Sequence, residues 1–383
     1  MGGAINTHSQ NGWLAEYGPN TILETNTQIK TLITELGLDG EKLYPNSVSS
    51  NRFIVKNGKL LPLPISPLAF FSSSLFSAKS KFNIIREPFI PKWQNHYEES
   101  LSEFVLRRLG QNFLDYAVNP FVAGVFAGDP NKLSVKHALS KLYKLEQDYG
   151  SLIKGQIKKA KLPAQSDDIP KNRAKMFSFK NGLKELPETL ASKLKTPIEF
   201  NTTVEQVQKL NEGWEITYNQ QNEIKTLKAD NLIYAGTGHQ LANCKIMNNK
   251  NLDLSFGNEI EYPPVATLTL GFHKNQIQHA LNGFGLLVPQ VENLQILGAL
   301  FNSSLFPYRA PDDHVTITVF MGGVRQPELA LESEEKRLDI AINDLTMLLG
   351  ISSFPAFIFH KKWTKAIPQY NVGYGDIKSK FQR

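Results

Sequence analysis

Sulfur chemistry is nearly absent from this chain, because Cys244 is the only cysteine among 383 residues. Intramolecular disulfides and CxxC metal or redox motifs are therefore excluded, and a reducing compartment fits. The eight histidines form no HExxH or other clustered spacing, and there is no GxSxG elbow. Hydrolytic and metal mechanisms have little support, and no metal ligand set is expected. No stretch approaches ~18 uninterrupted apolar residues, and the N-terminus lacks a basic region followed by an apolar stretch and a cleavage site. Neither a spanning helix nor a secretory signal is expected. Charge of neither sign dominates, since 42 Lys and Arg against 36 Asp and Glu leave a net +6. Such a balance suits anionic membranes, nucleic acid or acidic substrates, and separates none of them.

What is present is an ordinary globular composition, 41% hydrophobic, long enough for two or three domains. Residues 118–130 stand out, reading VNPFVAGVFAGDP. Pro120 and Pro130 fix φ, Gly124 and Gly128 permit close approach, and five apolar side chains argue against a solvated loop. The run is expected to be neither helix nor strand but an apolar, Gly-punctuated wall for a flat organic ligand.

Around it the chain shows clear local signals. Asn11-Gly12 and Asn57-Gly58 read as hairpin turns. Ile29, Leu32, Ile33 and Leu36 recur at helical spacing before a Gly37 stop. Ser100 with Glu103 forms a capping box ahead of Leu101, Phe104 and Val105, and a helix is expected from about Ser333. Residues 162–175 look like an exposed Pro/Asp/Lys-rich loop. Residues 200–235 alternate as strands and finish in Asn231-Leu232-Ile233-Tyr234-Ala235-Gly236, a short, apolar, Gly-terminated run that reads as a strand buried in a central sheet. Further strands are expected at 265–273, 284–301 and 314–322. Leu68-Ala69-Phe70-Phe71 and Leu75-Phe76 precede Lys79, Lys81 and Arg86, a mixture that suits either an interfacial membrane element or a helical subdomain packing its own apolar face.

The run VNPFVAGVFAGDP resembles the hallmark of oxygen-dependent protoporphyrinogen oxidases, FAD enzymes of haem synthesis. The segments at 2–22, 61–73, 283–311 and 363–374 agree with that family in order, so the resemblance covers nearly the whole chain. It implies an α/β fold with α+β elements: a Rossmann-like, doubly wound FAD-binding domain assembled from 1–40, 196–245 and 350–383. With it would go a mixed-sheet substrate domain from 41–60 and 246–349, and a helical, membrane-associating insertion over 61–195. Family members begin with a strand, a GxGxxG turn and a helix ahead of the GG pair, whereas Met1 here directly precedes Gly2-Gly3. They also end with a Gly-rich flavin segment, and this sequence stops at Arg383. The FAD domain is accordingly expected to be truncated.

Residue by residue, the resemblance implies FAD contacts at Gly2, Gly3 and Ala4, and at Gly18, Pro19, Asn20 and Thr21 beside the isoalloxazine ring. Val204 would pack on the adenine end, and Trp363 would touch the flavin. Gly124, Phe284, Leu287 and Asn20 would hold the tetrapyrrole, and Arg309 could meet a propionate or serve as a surface or capping arginine. No catalytic base is identifiable. The implied reaction is oxidation of protoporphyrinogen IX by FAD and molecular oxygen, with peripheral membrane contact on the cytoplasmic face, scope for a homodimer and no nucleic-acid partner. Two alternatives stay open at this level: oxidation of coproporphyrinogen III, or a non-catalytic tetrapyrrole-binding chain unable to hold FAD.

Overall fold

A computed structural model of the chain describes residues 1–94, 97–161, 174–248 and 250–382. All but the last two residues of the expected loop at 162–175 lie outside them. The first hairpin pairs Thr7–Gln10 with Trp13–Glu16, and its turn residues Asn11 and Gly12 have φ of 49° and 82°. Two successive left-handed residues match the strand twist, which is why Asn-Gly marks such a turn in sequence. Thr27–Leu36 is helical, capped by the Asn26 side chain at one end and closed at the other by Gly37 with φ 76°. Its Ile33 and Leu36 pack with Phe177, Phe179 and Leu183.

The central element is a seven-stranded sheet in the order Phe357–Trp363, Val265–His273, His314–Gly322, Ile296–Leu300, Gly285–Leu287, Arg52–Lys56, Lys59–Pro62. All neighbours are antiparallel except Gly285–Leu287 with Arg52–Lys56. Val265–His273 is buried along all but its last residue, as a strand covered on both faces should be. The helix Glu334–Leu349, N-capped by Ser333, supplies Leu338, Ala341, Leu345 and Leu349 to the core beneath the sheet. One boundary differs from the sequence division: Phe357–Trp363 falls within 350–383 yet pairs with Val265–His273 along its length. Its backbone ladder makes it part of the same sheet as 246–349.

Residues 67–160 are mainly helical and share a separate core around Leu101, Phe104, Val105 and Val122. Here the expectation for 118–130 is corrected, because Asn119–Phe126 is an α-helix. The reason lies one turn upstream. Leu114–Val118 is π-helical, with the Asn119 N–H reaching Leu114 O. This widened turn takes up the misfit of a proline, which lacks the N–H and crowds the carbonyl four residues back.

A five-stranded sheet runs Glu223–Ala229, Trp214–Gln220, Thr202–Lys209, Lys245–Asn248, Lys250–Asn251. The expected buried strand at 231–236 is not formed, and Ile233 is 89% exposed. Thr202–Lys209 already pairs with Trp214–Gln220 on one side and Lys245–Asn248 on the other. Among the described residues no strand pairs with this segment, and apolar composition without a ladder does not make a strand. Among the described residues no helix is long and apolar enough to cross a membrane.

Candidate active site

Two clusters of the expected residues form, one at Trp363 and one at Leu287, whose strands lie four places apart in the seven-stranded sheet. In the first, the Ile5 N–H donates to Gly2 O (2.8 Å) and the Tyr17 N–H donates to Asn6 O (2.9 Å), which lays the segment at 2–6 beside that at 17–20. Gly18 is the contact point, since a Cβ there would stand 3.0 Å from Ala4 O. Gly3, with φ 54°, has open space where a side chain would be. Asn20 donates through Nδ2 to Gly18 O (3.1 Å) and accepts at Oδ1 from Asn302 Nδ2 (2.7 Å). Pro19 is exposed and Thr21 half-buried in the same loop. Trp363 closes the cluster by donating from Nε1 to Tyr17 O (2.9 Å). Lys361 Nζ lies 4.8 Å from the Tyr17 ring centre and 4.6 Å from that of Trp363, which puts a cation against two aromatic faces. Val204 lies on the five-stranded sheet, half exposed beside a register shift.

In the second cluster, the helix Asn119–Phe126 meets the strand Gly285–Leu287. Gly124 is what permits the approach: a Cβ there would stand 2.5 Å from Leu287 Cδ2. Phe121, Gly124 and Val125 share one helical face and are exposed, while Val122 and Ala123 are buried behind them. The wall inferred from sequence is therefore present, built from one face of a helix rather than from irregular backbone. Phe284 is fixed by its N–H donating to Asn51 O (2.7 Å) and its carbonyl accepting from Phe301 N (3.0 Å). Over its ring sits the Arg52 guanidinium, 5.2 Å from the centre.

The two clusters are linked through the core. Val265, the register partner of Trp363, packs in one group with Ala123, Ala127 and Leu297. Arg309, in contrast, is not at either cluster in the role of a ligand cation. It is 3% exposed and its guanidinium donates to Ser178 Oγ, Phe179 O, Lys180 O and Pro307 O. It ties the loop before His314–Gly322 to the strand Met176–Phe179, a structural use of the charge. A groove of about 510 Å³ near Lys274, His279 and Tyr308 contains Arg309 but none of the residues of the two clusters. Among the described residues, no group of three or more His, Cys, Asp or Glu side chains is placed to hold a metal.

Four side chains at these clusters carry no sequence signal of their own: Arg52, Asn302, Lys361 and Arg325, the last donating to Val288 O and Asn119 Oδ1. Asn302 is 5% exposed and its Oδ1 has no donor among the described residues. Each is brought in by strand pairing or a loop crossing rather than by a motif, so only the three-dimensional arrangement could find them.

Comparison with known proteins agrees over the whole chain. The family model for flavin containing amine oxidoreductases matches residues 1–382. Protoporphyrinogen oxidase 2, chloroplastic/mitochondrial, from Arabidopsis thaliana is 33% identical, over 98% of this chain and 79% of its own length. Coproporphyrinogen III oxidase from Bacillus subtilis (strain 168) is 25% identical over 98% of this chain and 80% of its own. Among solved structures, a protein from Exiguobacterium sp. 255-15 proposed to be a protoporphyrinogen oxidase superposes with a TM-score of 0.79 at 20% identity. That match covers 98% of this chain and 81% of that one, and it shows the fold.

Proposed function

The chain belongs to the flavin containing amine oxidoreductase family and is a flavin-dependent oxidoreductase related to protoporphyrinogen oxidases; from that premise we propose that it oxidises protoporphyrinogen IX to protoporphyrin IX, with FAD as the flavin. The observation that carries the substrate class is the Gly124–Leu287 contact with Phe284 and Arg52 beside it. An exposed apolar wall flanked by a cation suits a large flat ring bearing carboxylates at its rim. Arg52 would meet a propionate, while Phe121, Val125, Phe284 and Leu287 keep water from the macrocycle.

Support for the flavin end comes from the first cluster. Gly3 leaves backbone bare for close approach by a dinucleotide, Gly18 lets its loop close on Ala4, and Asn302 Oδ1 is a buried acceptor in need of an N–H donor. Those residues, with Asn20 and Trp363, would hold the cofactor, and Val204 would receive its adenine end. Those residues would give the substrate a bound flavin whose chemistry would be acceptance of a hydride from a ring carbon and transfer of the electron pair to dioxygen, with two protons, as hydrogen peroxide. The chain's own task is orientation: the walls hold the ring, Asn20 is braced by Asn302, and Trp363 is braced by Tyr17.

We extend the reading to peripheral attachment on the cytoplasmic face of the cell membrane. Supporting it are Ile65, Leu68 and Phe89, each more than four-fifths exposed, beside Lys79, Lys81 and Arg86.

The test is reconstitution of the purified chain with FAD, followed by porphyrin fluorescence during incubation with protoporphyrinogen IX or coproporphyrinogen III in air. Protoporphyrin formation with equimolar FAD is expected, and Arg52→Ala should raise KM about tenfold, as loss of a charge-assisted contact of ~1.5 kcal/mol would. Oxidation of coproporphyrinogen alone would replace the substrate assignment, and a preparation that takes up no FAD would overturn the oxidase reading for this polypeptide. Sedimentation with phosphatidylglycerol vesicles tests attachment, and protein left in the supernatant would remove that part.

A further inference from the structure

We propose that Arg325 is a positioning residue that keeps the substrate wall continuous by holding the helix that carries Gly124 against the strand that carries Leu287. The inference rests on the porphyrinogen reading above. It starts from the loop that leaves the strand His314–Gly322.

That loop grips both ends of one short helix. Gly322 and Gly323 turn the chain with φ of 92° and 69°. The Gly323 N–H donates to Pro264 O (2.8 Å), which anchors the loop beside the start of Val265–His273, and the next N–H, that of Val324, donates to Ala127 O (2.7 Å). Ala127 is the left-handed residue that ends Asn119–Phe126. A Cβ on Gly323 would stand 2.5 Å from the same Ala127 oxygen, so the loop and the helix end are in contact.

Arg325 then reaches the other end of the helix. Its Nη2 donates to Asn119 Oδ1 (2.8 Å) and its Nη1 to Val288 O (2.9 Å). Asn119 begins the helix, five residues before Gly124, and Val288 directly follows Leu287. Gln290 completes the joint, donating its N–H to Asn119 Oδ1 (2.9 Å) and accepting from Asn119 Nδ2 (3.3 Å).

The chemistry favours a geometric role over a coulombic one. No ion pair within 4.0 Å involves Arg325 among the described residues. Burial lowers its guanidinium to about 10 against only a partial offset from Asp129. A planar fork with two diverging donors can span a side-chain amide and a backbone carbonyl together, which a lysine point charge cannot do with the same rigidity. The tolerance at the joint is small because Gly124 and Leu287 already touch. A shift of the helix by a fraction of an ångström would break that contact, and with it the continuous surface against which a macrocycle has to lie.

The experiment uses the FAD-loaded chain and measures two things besides turnover: the affinity for protoporphyrin IX, by titrating its absorption band, and the melting temperature. Arg325→Met is expected to weaken porphyrin binding and raise KM about tenfold, with kcat within about twofold and FAD content unchanged. Asn119→Ala should do the same, and the double variant should be no worse than either single one, because both remove one shared link. Arg325→Lys should fall between. Unchanged porphyrin affinity in Arg325→Met, or strictly additive losses in the double variant, would overturn the proposal. If Arg325→Met does not fold, Asn119→Ala and Arg325→Lys decide it by the same readouts. A parent chain that binds no protoporphyrin IX fails at an earlier step, and would take the porphyrinogen reading down with the clamp.

Discussion

Charged side chains are buried in one region of this molecule, and apolar ones lie bare in another. In the helical region, Glu87, Arg108 and Glu146 are fully buried. In the segment 190–234, Leu194, Ile224, Leu227 and Ile233 are all more than half exposed. The contrast shows that polarity proposes burial and partners decide it. Arg108 pairs with both Glu87 and Glu146, and Glu87 also accepts from Ser151 Oγ and from the N–H groups of Leu152 and Ile153, capping the helix Leu152–Ala160. Arg107 adds hydrogen bonds to Glu99 and Glu146. Burial works to raise the Glu146 carboxyl, but hydrogen bonds from the two arginines hold it below the usual range. Ile233, with no strand paired to it among the described residues, has only its hydrophobicity.

The largest effect should therefore come from removing a partner in the charged region. Arg108→Met leaves Glu87 and Glu146 in place with their strongest counter-charge gone, and should cost about 3–5 kcal/mol in urea unfolding. A loss below about 1 kcal/mol would mean that the remaining hydrogen bonds satisfy the carboxylates alone, and the contrast between the regions would lose its physical basis.

An intermediate case lies at the first cluster. Glu16 is 3% exposed and accepts from Thr7 Oγ1 (2.7 Å) and Leu183 N (2.9 Å), joining the hairpin to the chain beyond Met176–Phe179. Burial outweighs these bonds and lifts its carboxyl to about 6 from 4.5. A raised acid favours the folded state in its protonated form. That contribution is complete below about pH 4.5 and fades as pH rises through 6, a loss of ~2 kcal/mol by pH 8 at ~1.4 kcal/mol per unit. Glu16→Gln should flatten the stability profile by that amount between pH 4.5 and 8. Parallel profiles for the two proteins would show that the hydrogen bonds, not burial, set the balance.

The same division explains what could be read in the sequence. Signals that act within a few residues were legible: Asn11-Gly12 because I′ turns need two positive φ values, Gly37 because a left-handed stop suits glycine, Ser100 with Glu103 because both ends of the capping box are local. The resemblance puts Gly124 and Leu287 in one site, since each lies in a motif of the family, but the direct contact between them has no sequence mark. Features set by distant backbone were not. Pro120 suggested a broken helix because the accommodating π-turn at Leu114–Val118 has no sequence mark. Arg309 resembled a candidate ligand for a propionate until Ser178, Phe179 and Lys180 were found to occupy it. Arg325 carried no mark, because its partners are 206 and 37 residues away.

Asn231-Leu232-Ile233-Tyr234 is the sharpest failure and yields the smallest predicted effect. As a buried strand residue, Ile233 would lose about 1–3 kcal/mol or more on replacement by threonine, from lost apolar burial and a hydroxyl without a partner. At 89% exposure it has little to lose. Ile233→Thr should change the unfolding free energy by no more than about 0.5 kcal/mol, the range of ordinary surface substitutions. A loss above ~1 kcal/mol in dilute solution would show that this side chain is covered there. That outcome would erase the contrast from its apolar side, because Ile233 would then have a partner after all.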